Sequence, residues 1–404
     1  MFLPLPANQL KAPIFQTDQR KVLELPTFRP EALRDPTVVG KALQFPKSEN
    51  DILLAYGVPK SLVIEFRLLP KPYTVVRDVT LTILDQVSVA RTKSSKNNRA
   101  VLSMSISYKL PIPILTKVSA GPAGCGKSVL LLQAVEHFVA KKWIVLYIPR
   151  ALTLVNSSSH YIYDPRTRTY LQPDFSYELL RRFQQINKAA LEKLKTTKAF
   201  VSDTAPVRVG APLTRLIDVG IENKSLAPVA LSALFEELSQ QTEHPVLLAV
   251  DDFQALYRHT TLYRDPLFHG IKPYHMSLPR LLLEYASGKK VFQRGAVLGA
   301  LSTAHTIFQL PLELREALGI PYDRPSGPYV RRKPEMVEYA KGLKNIPVPA
   351  QMQIDEAASL YEVWGQSHWL RTAPNDEGFL ATYTQAAGNP REFVWKGLLQ
   401  SYAL

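Results

Sequence analysis

Apolar residues recur along this chain with two spacings, and the two alternate. "SVLLLQAVEHFVAKK", from Ser128, places them three and four apart with no Gly or Pro, which predicts a helix. "FSYELLRRFQQINKAALEKL" and "LAPVALSALFEEL" repeat that spacing and predict two more amphipathic helices. Between them lie short continuous apolar runs: "WIVLYIP" from Trp143 to Pro149, "PVLLAVDD" from Pro245 to Asp252, and "GAVLGALST" from Gly295 to Thr303. Runs of that length read as strands buried on both faces. Helices alternating with such strands imply an α/β fold with a parallel sheet covered on both sides.

Outside this core the pattern weakens. Residues 1–50 are proline-rich without a sustained period and read as an extended arm that lies on something else. "ENDILLAYGVP" opens a short helix, and "YTVVRDVTLTILDQV" fits strand or helix. The last third, from about Arg331, reads as helical: "DEAASLYEVWGQ", then "DEGFLATYTQAA" closed by Gly388, then a helix with Asn389 as N-cap and Pro390 at its first position. The expected organisation is an arm (1–50), a nucleotide-binding domain (51–330) and a helical lid (331–404).

The chemistry sits just before the first long helix. "AGPAGCGKS", Ala120 to Ser128, has the phosphate-loop spacing: Gly121, four residues, then Gly126, Lys127 and Ser128. Glycines let backbone N–H groups turn toward phosphate oxygens, and the following helix points its positive end at them. Lys127 supplies a mobile cation for the outer phosphates, and Ser128 a hydroxyl for Mg²⁺. The candidate cradle is thus Gly121, Pro122, Ala123, Gly124, Cys125, Gly126, Lys127, Ser128 and Val129. The motif needs an acid at the end of an apolar strand; Asp251 fits, and Asp252 follows where an acid could orient an attacking water. Ser302 and Thr303 could sense the terminal phosphate or merely cap a strand. Arg391 could reach the phosphates or merely stand in a capped helix start. Cys125 reads better as a small loop filler than as a redox switch. The spacing of a dinucleotide fingerprint is absent, as is Asn-Lys-x-Asp, so the base is not legible.

Charge adds a class of partner. Lys and Arg total 49 against 35 Asp and Glu, a formal net charge of +14 with a pI near 9.6. Such an excess favours polyanions, with nucleic acid the usual one, directly or inside a larger particle. The single cysteine permits no disulfide within the chain, and neither paired CxxC nor HExxH supports a zinc site. No apolar run reaches the ~18–20 residues of a membrane span. The N-terminus lacks a secretory pattern and makes a poor mitochondrial presequence.

Several stretches then coincide: "GPAGCGKS", "VLYIPRALTLVNSSSHYIYDPRTRTYLQPDFSYELL", "VLLAVDDFQALYRHTTLYRD" and "AAGNPREFVW". Together they resemble the death-associated protein 3 family of mitochondrial small-subunit ribosomal proteins, in a fungal-type member. Tyr161 to Pro165, Tyr170 and Pro173 are more specific to it than the loop. The resemblance implies a P-loop NTPase fold of the AAA-like, additional-strand class with a helical lid. It implies bound GTP or GDP (ATP remaining open) with Mg²⁺. It further implies a place in the head of the small subunit in the mitochondrial matrix, touching neighbouring proteins, rRNA and the large subunit. By motif, Gly121 to Val129 would cradle phosphates, Ser128 and Asp251 would serve the metal, and Asp252 would be the one candidate to activate water.

Two departures stand against the pattern. Strand-like "AVLS", Ala100 to Ser103, is separated from Gly121 by Met104 to Ala120, whose Pro111 and Pro113 suit a central strand badly, so 104–120 reads as an insertion. Asp252 is one methylene shorter than the usual glutamate, and a ~1 Å retraction can cost ~10²-fold in rate. The expectation is a structural ribosomal protein with a stabilising nucleotide. The alternatives are a slow GTPase or ATPase acting as an assembly switch, and an apoptosis-type signalling switch.

Overall fold

The computed structural model describes residues 24–47, 51–59, 62–69, 71–105, 123–201, 206–321, 327, 329–367, 370 and 374–399. Gly121, Pro122 and most of the suspected insertion lie outside them.

The first described segment turns twice in 3₁₀ conformation and forms β1 (Ala42–Gln44). Helix α1 (Ile52–Ala55) starts at Asp51, whose carboxylate accepts the Leu53 N–H at 2.8 Å. Helix α2 (Val63–Leu68) leads to β2 (Tyr73–Val75), which pairs antiparallel with β1. The ambiguous run after Tyr73 is thus both things: strand β2, then helix α3 (Asp78–Ser88). The arm reading is corrected for its described part. Phe28, Leu43 and Phe45 are buried in this chain's own core, so residues 24–47 cover the chain itself.

Strand β3 (Arg99–Ser105) precedes the glycine loop, and α4 (Lys127–Ala140) follows it. Next come β4 (Ile144–Ile148), the hairpin β5 (Ile162–Asp164) and β6 (Thr169–Leu171), α5 (Pro173–Leu191), α6 (Leu213–Glu222) and α7 (Ala227–Gln240). Strand β7 (Val246–Val250), α8 (Ser277–Ser287), β8 (Gly295–Ala300), α9 (Leu312–Ala317) and α10 (Pro334–Ala340) complete the middle. Strand β9 (Lys344–Pro349) precedes α11 (Ile354–Gln366), α12 (Asp376–Gln385) and α13 (Pro390–Glu392), which runs on as a π-helix, Phe393–Leu398.

Five strands form one parallel sheet in the order β4-β7-β8-β3-β9. Every residue of β4, β7 and β8 is buried, as continuous apolar runs require. Helix α4 packs against β3, β8, β7 and β4, while α5 packs on β4 and gathers α6 and α7. Two sequence expectations need correction. The last third is not wholly helical: β9 joins the sheet beside β3, with Ala100 opposite Lys344 and Ser105 opposite Pro349. Its prolines and alternating exposure suit an edge strand and hid it from periodicity. Strand β3 also ends two residues later than expected, so Met104 and Ser105 are strand.

The "YIYDPRTRTY" stretch is the β5–β6 hairpin, and its tyrosines build a small satellite core. Tyr161 meets Tyr170 and Tyr263 edge-on and donates to the Arg264 carbonyl at 2.6 Å. Tyr263, Ile271 and Met276 close that cluster. A second core joins the C-terminal helices to the β1–β2 hairpin through Ala42, Tyr73, Val75, Trp364 and Phe393. The Trp364 indole N–H donates to the Tyr73 hydroxyl at 2.9 Å.

Candidate functional site

Three strands of a parallel sheet deliver their carboxyl ends to one edge, where ligands of such sheets bind. Strand β3 leads toward the glycine loop, β7 ends in Asp251 and Asp252, and β8 ends before Ser302 and Thr303. Strand β8 lies between β3 and β7, so the acids face the loop across one strand.

The loop is held open by backbone that favours glycine. Gly124 has φ +103° and Gly126 φ +91°. A Cβ at Gly124 would lie 2.3 Å from the Arg391 Cβ, so the loop and the C-terminal segment meet without room for a side chain. Gly126 stands at the N-terminus of α4, a 14-residue helix whose free N–H groups face the loop. Cys125 is wholly buried and fills the turn. Lys127 is buried, and its ammonium donates to the Cys125 Sγ at 3.3 Å. Among the described residues it makes no ion pair.

Ser128 is next on the helix, close to Asp251. Burial pushes the Asp251 carboxyl well above its usual range, and the adjacent Asp252 charge adds to this; Ser128 and Lys127 oppose it. Asp252 sits in left-handed backbone, φ 54°, a conformation that costs a non-glycine residue about 1 kcal/mol or more. Its pKa is raised by burial, against the opposing pull of His305, Arg150 and Ser302. The His305 Nε2 stands 3.7 Å from the carboxylate. Gln254 accepts the Ser302 N–H at 3.0 Å. The Gln254 amide nitrogen and the Thr303 hydroxyl are buried without a partner among the described residues.

A cavity of about 200 Å³ opens beside the loop. Its lining includes Ala123 to Leu130, Ser302, Thr303 and Arg391, which brings those sequence-predicted residues together. Asp251 and Asp252 are not among the residues that line it. Arg391 reaches the loop through its backbone, donating to the Gly124 carbonyl at 3.2 Å, while its guanidinium lies over Trp395 at 5.9 Å. Asn389 caps α13 through the N–H groups of Arg391 and Glu392, and its amide donates to the Ala123 carbonyl at 3.3 Å. The capped helix start is therefore realised, and the Arg391 backbone also touches the loop.

Sequence reasoning missed Arg77, which follows β2 and clamps the site. Its guanidinium donates to the Cys125 carbonyl, the Glu356 carboxylate and the Gln351 carbonyl, each at 2.9 Å. It also missed Gln133, whose amide joins Thr74, Val75 and Thr80 to α4. A polar residue on an otherwise apolar helix face was the available signal. Glu65, Phe66 and Trp395 complete the lining and carried no signal at all.

The family described as mitochondrial ribosomal death-associated protein 3 matches residues 113–395. The chain belongs to that family. The match opens inside the suspected insertion, and it spans the loop, both acids and Arg391. Three relatives carry the name small ribosomal subunit protein mS29. The Neurospora crassa protein is 26% identical over 400 residues, 96% of this chain and 81% of its own length. The Schizosaccharomyces pombe protein is 24% identical over 362 residues, 88% of this chain and 70% of its own. The Mus musculus protein is 26% identical over 212 residues, 50% of this chain and 54% of its own.

Proposed function

We propose that this member of the family is a structural component of the small mitochondrial ribosomal subunit, in the matrix, and that it holds a purine nucleotide between its phosphate loop and its C-terminal helices. Family membership supports the ribosomal part, and the relatives' names supply the subunit. rRNA and neighbouring ribosomal proteins are the partners, and the +14 charge suits them. Contacts with the large subunit belong to the same reading. No described helix is long and apolar enough to cross a membrane.

The observation that carries the nucleotide part is Lys127. A buried ammonium with no ion pair among the described residues is costly, and a phosphate at the N-terminus of α4 would remove that cost. The strand order supports a P-loop NTPase fold of the additional-strand class, because β8 is interposed between the loop strand and the acid strand. Ser128 and Asp251 are the residues that would hold Mg²⁺, which would neutralise phosphate charge. GTP or GDP is the expected ligand. Asp252 is one methylene shorter than the usual glutamate, with the His305 Nε2 3.7 Å from its carboxylate, so turnover is slow or absent and the nucleotide acts through stability. A ligand at 1,000 times its dissociation constant adds about 4 kcal/mol.

The test is Lys127→Ala in the full chain. Nucleotide affinity falls at least ~100-fold while the protein still folds, as a change in one charge-assisted contact set predicts. Unchanged affinity would contradict the assignment.

A further inference from the structure

A second cavity, of about 300 Å³, shares no lining residue with the one beside the glycine loop. The β5–β6 hairpin forms one wall. The rest is built where the opening turns of three helices meet: Ser176 of α5, Pro228 and Val229 of α7, and Ser277 and Leu278 of α8. No described side chain caps any of these helices. Each brings the positive end of its dipole to the cavity. Ser176 is 1% exposed, and neither its hydroxyl nor the buried Ser277 hydroxyl has a partner among the described residues. An orphaned buried hydroxyl is costly, and two on the wall of one cavity point to something the cavity holds.

The charges on the wall decide the kind of ligand. Two lining acids are already answered. Glu284 accepts from the Arg280 Nε and pairs with the Lys290 ammonium, each at 3.0 Å. The Asp164 carboxylate accepts the Thr167 hydroxyl at 2.9 Å and the Arg166 N–H at 3.0 Å, within its own hairpin turn. Arg280 gives Glu284 its Nε alone, and its two outer nitrogens have no described partner. What remains unanswered is three helix N-termini, two hydroxyls and the outer edge of a guanidinium. A hydroxyl serves either sign of charge, but a helix N-terminus favours the negative one. We propose that this cavity is an anion site that takes a phosphate group, with Ser176 and Ser277 donating to its oxygens and Arg280 pairing with its charge. That phosphate belongs to a small phosphomonoester or to an RNA backbone, which present the same oxygens to the wall. The site is independent of the nucleotide reading above, because Lys127 and the glycine loop take no part in it.

The test is equilibrium dialysis of the full-length protein carrying Lys127→Ala, which silences the glycine loop, against inorganic phosphate, ribose 5-phosphate and a short oligouridine. Adding Ser176→Ala and Ser277→Ala removes two orphaned hydroxyls, so the ligand-free protein should resist urea as well as its parent or better. The same pair should weaken the bound probe at least ~10-fold, and Arg280→Gln should do so by ~10-fold or more. A larger loss for ribose 5-phosphate assigns the site to a small ligand, and a larger loss for oligouridine assigns it to an RNA backbone. No probe bound up to ~10 mM, or binding that either change leaves untouched, overturns the anion site and leaves water as its filling. Should the Lys127→Ala protein not fold, the rise of the urea midpoint in phosphate over chloride at equal ionic strength is read with and without the two serine changes. An equal rise in both overturns the site.

Discussion

Individual side chains set the pH range over which this chain is stable, and two neighbours on α4 pull in opposite directions. Burial, with a smaller contribution from Asp51, raises the Glu136 carboxyl to about 8. In the unfolded chain it ionises near 4.5, so between 4.5 and 8 the native state binds the extra proton. Its contribution to stability is present at low pH and is lost as pH rises through that window. His137 runs the other way: burial, then Lys141, lowers it to about 4. The native imidazole stays neutral, and stability falls as pH drops from 6.5 toward 4. Glu136→Gln should therefore stabilise the protein by about 1–3 kcal/mol at pH 8 and change little at pH 4, as read by urea unfolding. Equal effects at both pH values would contradict the assignment. These groups were invisible in the sequence, where "AVEHF" is simply part of a helix with three-four apolar spacing. Only the packing around α4 turns Glu136 and His137 inward.

At the scale of elements, the glycine loop is clamped between α4 and the C-terminal helices, and Arg77 is the clamp. Its bond to Glu356 is a buried ion pair, both side chains less than 10% exposed. Burial raises the Glu356 carboxyl despite Arg77, so the pair is held by geometry at a desolvation cost. Arg77→Ala leaves a buried carboxylate alone and should cost about 3–5 kcal/mol. Hydrogen exchange should rise first in the N–H groups of α11 and of the loop, and later in β7. A loss below about 1 kcal/mol would show that the pair is dispensable. The elements themselves were largely legible. Continuous apolar runs identified β4, β7 and β8, and three-four spacing identified α4, α5 and α7, because those segments are buried by their own pattern. Strand β9 was not legible, since an edge strand with Pro347 and Pro349 needs only its β3 partner to exist. Of the candidate site, the loop and the acids were singled out by motif spacing, and Arg391 by its place in a capped helix start. Arg77 and Glu65 were not, because they come from a segment before the motif that only the fold brings back to it.

For the whole molecule, the nucleotide reading and the ribosomal reading meet in one place. The cavity lies where the sheet core, the β1–β2 hairpin and the C-terminal helices converge. A ligand there would tie the three together, and a particle that depends on this chain's shape would depend on it too. The central claim is a tightly held guanine nucleotide, and the most direct measurement is to purify the small mitochondrial subunit carrying this protein, wash it in high salt, denature it and identify what is released. The account predicts one equivalent of GDP or GTP per copy of the chain. A particle that retains the folded protein and releases no nucleotide would contradict it.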